Sequence, residues 1–222
     1  MKLTKEQIQT IEYALGKRGV DYIDLKYELL DHIATEVEQL MTDDATISFE
    51  EACNIAFEKW KGTLKTSSSF WLGIVHSAPK IVIDSCVSIV KDLTYKLIGY
   101  GVLISLLIFL ILKVYPLEFS DSLLIVIGVL QYAIGTALLV LFLIIKRSNY
   151  KTSYSFVFNV NAIPFALYYV LFNVGFEFYV VKSQDFDLIN IFIQVLMILY
   201  PIYGYRMFKK HFESRKNILT TA

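Results

Sequence analysis

The pattern of apolar and polar positions divides the chain into two parts. About 96 mostly polar residues precede four long apolar blocks, which run over residues 97–114, 123–145, 156–175 and 188–208. At 1.5 Å per residue, each block is long enough to cross a hydrocarbon core about 30 Å thick. Because short loops join neighbouring helices, the blocks predict an antiparallel four-helix transmembrane bundle.

The polar part has the 3.6-residue periodicity of short helices. Thr4 and Gln7 have capping-box spacing at the start of a first helix, and Ser48 and Glu51 repeat that spacing before a third. Asp21 is placed to cap a longer second helix that ends at about residue 41. The apolar stripe of this second helix consists of Leu25, Leu29, Ile33, Val37 and Leu40.

These patterns predict an all-α protein made of a small cytoplasmic three-helix module followed by a four-helix transmembrane bundle. The predicted parts are a module over residues 1–64, a linker and stalk over 65–96, a four-span domain over 97–210 and a basic cytoplasmic tail over 211–222. A core made by three short helices is small, so we expect support from the membrane part or from a partner.

Basic residues indicate how the blocks are oriented, because cytoplasmic loops collect Lys and Arg. The basic residues that lie on one side of the four blocks are Lys91, Lys96, Lys146, Arg147, Lys151, Arg206, Lys209, Lys210, Arg215 and Lys216. The two other loops hold only Lys113 and Lys182, next to acidic residues. We expect a multi-pass protein of the bacterial cytoplasmic (inner) membrane with both termini in the cytoplasm.

The segment between module and bundle contains two further features. Residues 62–69 are small and polar and suit a linker. A set of apolar residues then recurs at helical spacing and predicts a short helix over residues 70–78: Phe70, Trp71, Ile74, Val75 and Ala78. Phe70 and Trp71 are candidate anchors in the membrane interface, although the same face could instead pack on the module. From residue 80 the pattern predicts one helix, about 50 Å long, that continues through the first block.

The zero net charge hides an uneven distribution. Residues 1–64 carry seven basic and thirteen acidic side chains, a balance of −6, and the rest of the chain carries +6. An acidic module beside an anionic leaflet should stand off the membrane or dock on the basic loops and tail. A basic protein partner complements it, and binding to nucleic acid is disfavoured because phosphates need the opposite charge.

The candidate chemistry of the module lies on the second predicted helix. Glu28, His32 and Glu36 share one helical stripe, and Asp31 lies next to it. A metal site needs further ligands that no other His or Cys of the module is placed to supply, so we expect neither metal nor cofactor. We expect His32 to be partly buried and paired with a neighbouring carboxylate, and the four residues to form an interaction surface.

The apolar blocks contain amides but no ionisable group deep in the bilayer. These amides are Gln131, Asn159, Asn161, Asn173 and Gln194. They are predicted to form hydrogen bonds between helices, worth roughly 0.6–2 kcal/mol each. The chain also has no phosphate-binding glycine loop, no HExxH and no nucleophile elbow, so we predict no catalytic residues.

The stretch YELLDHIATEVEQLM, followed by a polar gap and SFEEACNIAFEKW, resembles the small N-terminal helical domain of the HAAS or permease-prefix type. Such domains occur on bacterial membrane proteins often encoded beside PadR-type transcription regulators. The resemblance covers residues 20–60 and implies a regulatory or interaction role at the membrane, with no catalytic residues.

These observations favour a non-enzymatic membrane regulator or scaffold whose module binds a cytoplasmic or membrane protein. Besides the lipid bilayer, a second copy of the chain is a possible partner. The main alternative is a subunit of an oligomeric channel or transporter, with amides from several copies lining the pore. A membrane-embedded enzyme that uses Glu28 or His32 is a third hypothesis.

Overall fold

The computed structural model describes residues 2–114, 121–162, 165–167 and 188–221 of the 222-residue chain. Most of the described residues lie in helices, which confirms the all-α prediction. The helices are α1 (Lys5–Lys17), α2 (Ile23–Asp43), α3 (Phe49–Leu64), α4 (Lys80–Val114), α5 (Asp121–Arg147), α6 (described at 153–162 and 165–167) and α7 (Leu188–Thr221).

The caps of α1 and α3 are the predicted ones, whereas that of α2 is not. Thr4 and Ser48 each form a capping box with the residue three positions later. Asp21 was expected to cap α2, but the N-cap is Tyr22, whose side chain makes no cap hydrogen bond. Asp21 lies one residue before the N-cap, so it is not at the position from which a side-chain oxygen accepts from the N–H groups of the first turn.

Helices α1, α2 and α3 share one apolar core. The buried members include Ile11, Leu15, Leu29, Ile33, Val37, Ala52, Ala56 and Phe57. Full burial of a Leu, Ile or Val side chain stabilises the fold by about 1.5–3 kcal/mol. Polar contacts at the rim join α1 and the residues before it to α2. The Nζ of Lys26 lies 2.8 Å from a carboxylate oxygen of Glu12, and the backbone N–H of Leu3 donates to Glu38.

The segment that was predicted as linker and helix is a β-hairpin. Strand β1 (Thr66–Ser68) pairs antiparallel with β2 (Ser77–Pro79), and a single 3₁₀ turn (Phe70–Leu72) lies between them. The prediction of a helix over 70–78 was therefore wrong. Gly73, at φ 82°, reverses the chain there, and a side chain at this position would be strained.

Three of the described helices are long and apolar enough to cross a membrane. They span Lys80–Val114, Gly128–Arg147 and Leu188–Lys216. At 1.5 Å per residue, the 35 residues of α4 extend over about 52 Å. The protein is therefore a membrane protein. Much of the third apolar block, residues 156–175, lies outside the described residues.

The chain forms two compact units. The first unit contains residues 1–89 together with 149–156 and 210–222, and the second contains 90–148 and 157–209. Two short stretches from late in the sequence thus belong to the same unit as α1, α2 and α3. Residues 149–156 comprise the end of the link from α5 and the first turn of α6, and we call them the α5–α6 connector.

Candidate functional site: the α2 surface and the α5–α6 connector

Three of the four residues predicted as an interaction surface are exposed on α2. Glu28, Asp31 and His32 are solvent-accessible, whereas Glu36 is largely covered. Among the described residues, the carboxylates of Glu28 and Asp31 form no hydrogen bond and no ion pair, so neither stabilises the module through such a contact. Their charges are thus available to a partner.

Glu36 fixes an aromatic side chain of α3. One of its carboxylate oxygens accepts a hydrogen bond from Lys59 Nζ at 2.6 Å, and the other accepts one from Trp60 Nε1 at 3.1 Å. The His32 ring stacks on the Trp60 ring at a centroid distance of 6.2 Å. The expected burial and carboxylate pairing of His32 were therefore wrong, because the nearby carboxylate is engaged by α3 and the imidazole lies outside on the indole.

The protonation of Glu36 reflects these contacts. Burial alone would raise the pKa of its carboxyl group, but the hydrogen bonds from Lys59 and Trp60 and the charge of Lys59 outweigh burial and hold the pKa below its usual value. Glu36 is therefore a carboxylate at neutral pH. It keeps Trp60 in a fixed position beside His32.

The first turn of α2 contacts the α5–α6 connector. Both carboxylate oxygens of Asp24 accept a hydrogen bond from the backbone N–H of Ser153 at 3.0 Å, and one also accepts from the Ser153 hydroxyl. Ser153 is the first residue of α6. A carboxylate at a helix N-terminus is stabilised by the unpaired N–H groups and by the helix dipole.

The N-terminus of α6 has its own cap. Thr152 Oγ1 accepts from the N–H of Ser155 at 3.0 Å, and the N–H of Thr152 donates to Ser155 Oγ at 2.9 Å. This reciprocal pair is a capping box with Ser in place of Glu or Gln. The Thr–x–x–Ser spacing is visible in the sequence, but this cap was not predicted because the apolar block begins at residue 156, three residues after the start of α6.

Backbone and aromatic contacts extend the junction. The N–H of Ile23 donates to the carbonyl of Lys151 at 2.9 Å, and Tyr22 pairs with Lys151 in a parallel β-bridge. The Tyr22 ring meets Phe156 edge to face at 5.7 Å. Burial, and then the nearby Cys86, Asp21 and Asp24, raise the pKa of Tyr22 to about 12, so its phenol stays neutral.

The C-terminal part of α7 contacts the same connector. The ring of His211, which has no solvent exposure, stacks on Tyr150 at 4.5 Å, and its Nδ1 shares a hydrogen bond with Thr152 Oγ1 at 2.9 Å. The guanidinium of Arg215 lies over the Tyr150 ring at 4.9 Å. The connector is therefore held between α2 and α7 within one unit.

The acidic module was expected either to stand off the membrane or to dock on the basic loops and tail of its own chain. In the first unit it contacts the α5–α6 connector, as docking requires. The contact depends on a helix N-terminus and on the backbone more than on paired charges. Lys151 Nζ stands 3.9 Å from Asp21, and both side chains are mostly exposed, so this pair contributes little. The two surfaces are complementary because the Asp24 carboxylate of α2 faces the N-terminus of α6.

The predicted intramembrane amides have different environments in the second unit. Gln131 Nε2 of α5 donates to Gln194 Oε1 of α7, so the structure brings these two together. Asn161 Nδ2 bonds the Val157 carbonyl of its own helix. Asn159 Oδ1 is buried without a hydrogen-bond partner among the described residues. Asn173 lies outside the described residues.

Neither a metal cluster nor a known relative assigns an activity to these residues. In the described part of the chain, no group of three or more His, Cys, Asp or Glu side chains is placed to hold a metal ion. No family model, curated protein or solved structure matches the chain. Its function must therefore be inferred from the chemistry of its own surfaces.

Proposed function

We propose that the protein is a non-enzymatic regulator or scaffold of the bacterial inner membrane, whose N-terminal module binds a basic protein partner on the cytoplasmic side. One observation carries this proposal. A single helix, α2, presents Glu28, Asp31 and His32 to solvent and bonds the α5–α6 connector through Asp24. The same helix can thus bind a partner and transmit the effect.

The chemistry of the surface favours a basic partner. Glu28 and Asp31 provide exposed negative charge, and the His32–Trp60 stack lies beside them. A Lys or Arg side chain gains from the carboxylates and, over an aromatic face, from a cation–π interaction of about 0.5–1 kcal/mol when exposed. The module's balance of −6 would also accelerate association with a basic protein.

The link to the membrane part follows from chain connectivity. Asp24 lies seven residues, or about 10 Å along α2, from Asp31. A partner that moves α2 changes the bonds to Ser153, which is the first residue of α6 and part of the connector. We infer a small helical module, of the HAAS or permease-prefix type that it resembles, acting on a four-span bundle.

Partner capture tests the binding role. Full-length protein, extracted in mild detergent, is used to recover partners from a cell extract, with Asp31→Lys and the matched Asp43→Lys as variants. Both residues are exposed acids on α2, and Asp43 lies at its far end. We expect Asp31→Lys to lose a partner that the wild type and Asp43→Lys retain. Equal recovery by all three proteins contradicts the proposal, and ion flux through proteoliposomes would favour the channel alternative.

Cysteine labelling tests the four-span topology. A membrane-impermeant maleimide, added to intact cells, should label Ser120→Cys and Ser183→Cys, which lie in the two loops with few basic residues. It should leave Ser148→Cys unlabelled until the membrane is permeabilised. Labelling of Ser148→Cys in intact cells rules out cytoplasmic termini.

A further inference from the structure

The tip of the β-hairpin exposes large apolar side chains. Phe70 is 86% exposed, Ile74 72% and Val75 88%. From residue 66 to residue 79 the chain has no Asp, Glu, Lys or Arg. Three nearly bare hydrophobic side chains on one uncharged turn are typical of a surface that is covered by something else.

The hairpin holds this tip in a fixed shape. Leu72 is fully buried, and Gly73 then reverses the chain at φ 82°, so Ile74 and Val75 follow on the outside. At the base, the N–H of Lys80 donates to the Lys65 carbonyl at 2.8 Å. The exposed side chains therefore belong to an ordered turn and do not result from a loose loop.

The position of the hairpin tip indicates what covers its apolar side chains. The ring of His76 meets Phe156 edge to face at 5.7 Å, and Phe156 is the first residue of the third apolar block. The tip thus lies beside the residue at which the third predicted membrane-spanning block begins. Phe and Trp side chains favour the membrane interface, and Lys65 at the base carries the charge that anionic headgroups attract.

We propose that the hairpin tip inserts Phe70, Ile74 and Val75 into the cytoplasmic leaflet of the bilayer. This inference rests on the proposed topology for the choice of leaflet. The tip is a second attachment of the N-terminal unit to the membrane, independent of the spanning helices. Insertion reaches the boundary between headgroups and acyl chains, about 5–10 Å deep.

Quenching by brominated lipid tests the insertion. Trp60 and Trp71 are the only tryptophans, so Trp60→Phe with Trp71→Phe gives a silent background. The full-length chain is reconstituted in phosphatidylethanolamine–phosphatidylglycerol vesicles with brominated acyl chains. Val75→Trp and, separately, Phe70→Trp report on the tip. Thr63→Trp, an exposed position on α3, is the matched control.

We expect the emission of Val75→Trp and Phe70→Trp to shift to the blue and to lose most of its intensity in brominated vesicles, whereas Thr63→Trp changes little. Blue-shifted emission without quenching shows a tip covered by protein, such as a second copy, and overturns the proposal. Unshifted emission, or equal quenching at all three positions, overturns it too. Quenching does not depend on partner capture, so the two proposals fail separately.

Discussion

Asp24 and Ser153 are 129 residues apart in the chain, yet both oxygens of the Asp24 carboxylate lie 3.0 Å from the Ser153 backbone nitrogen. This contact joins the first turn of α2 to the first turn of α6. Asp24 thus bonds a distant part of the chain, whereas Glu28 and Asp31 on the same helix form no hydrogen bond or ion pair with the described residues.

Replacing Asp24 with Asn should loosen the α5–α6 connector. The charge at the α6 N-terminus is lost, and a charge-assisted hydrogen bond of this kind contributes about 1.5–3 kcal/mol. Hydrogen exchange of the amides of residues 149–156 should become faster. Asp43→Asn, at the other end of α2, is the control and should leave these amides protected. Unchanged exchange in Asp24→Asn would show that the backbone bridge alone holds the connector.

Replacing His211 with Ala should release α7 from the connector. The change removes the stack on Tyr150, the hydrogen bond to Thr152 and the volume of a fully buried ring. We expect the first unit to lose about 2–4 kcal/mol of unfolding free energy, measured by thermal or denaturant unfolding in detergent. Ser214→Ala, which removes a bond within α7 only, should cost far less. Equal losses for the two variants would contradict this role.

Acid should weaken the contact between α2 and α3 through Glu36. The pKa of Glu36 is lower in the folded protein than its ordinary value of 4.5, so its contribution to stability is present above pH 4.5 and is lost as the pH falls through the folded-state pKa. In a Trp71→Phe background, the emission of Trp60 reports this loss. In Glu36→Gln, the change in Trp60 emission at acidic pH should become smaller. Glu58→Gln, which alters an exposed pair with Lys61, should leave the change in Trp60 emission at acidic pH as it is in the parent protein.

The Gln131–Gln194 pair should respond differently to single and double substitution. Gln131→Leu alone leaves the Gln194 amide without this partner and should destabilise the second unit by roughly 0.6–2 kcal/mol. Replacing both with Leu removes the two polar groups together and should cost less than either single change. Unfolding in mixed micelles of increasing SDS content measures the difference. Additive losses would mean that the amides act independently.

Local signals in the sequence account for part of the fold. The capping boxes at Thr4 and Ser48 and the apolar stripe of α2 depend on residues three or four apart, and they were confirmed. The hairpin was missed because apolar spacing over nine residues fits a helical turn as well as a β-turn. The pairing of Ser67 with Ala78 and the positive φ of Gly73 decide between them.

The junction could not be predicted from the sequence for a different reason. Asp24 reads as an ordinary first-turn acid of α2, and nothing near it in the chain indicates Ser153 as its partner. His211 likewise reads as one polar residue in a basic tail, although its ring is buried against residues about 60 positions earlier. Such contacts depend on which distant segments the fold brings together, and single-sequence periodicity carries no information about that.

The composition of the first unit sets an order of assembly. Helices α1, α2 and α3 are complete once residue 64 has been made, but the unit also needs the connector and His211. At a translation rate of about 5–20 residues per second, roughly 6–24 s separate the synthesis of residue 89 from that of residue 211. Ser153 and Phe156 are made about halfway through that interval, so until then Asp24 has no Ser153 to bond and Tyr22 has no Phe156 to pack on. A nascent chain of this protein therefore exposes an unfinished surface until its last helix has been made.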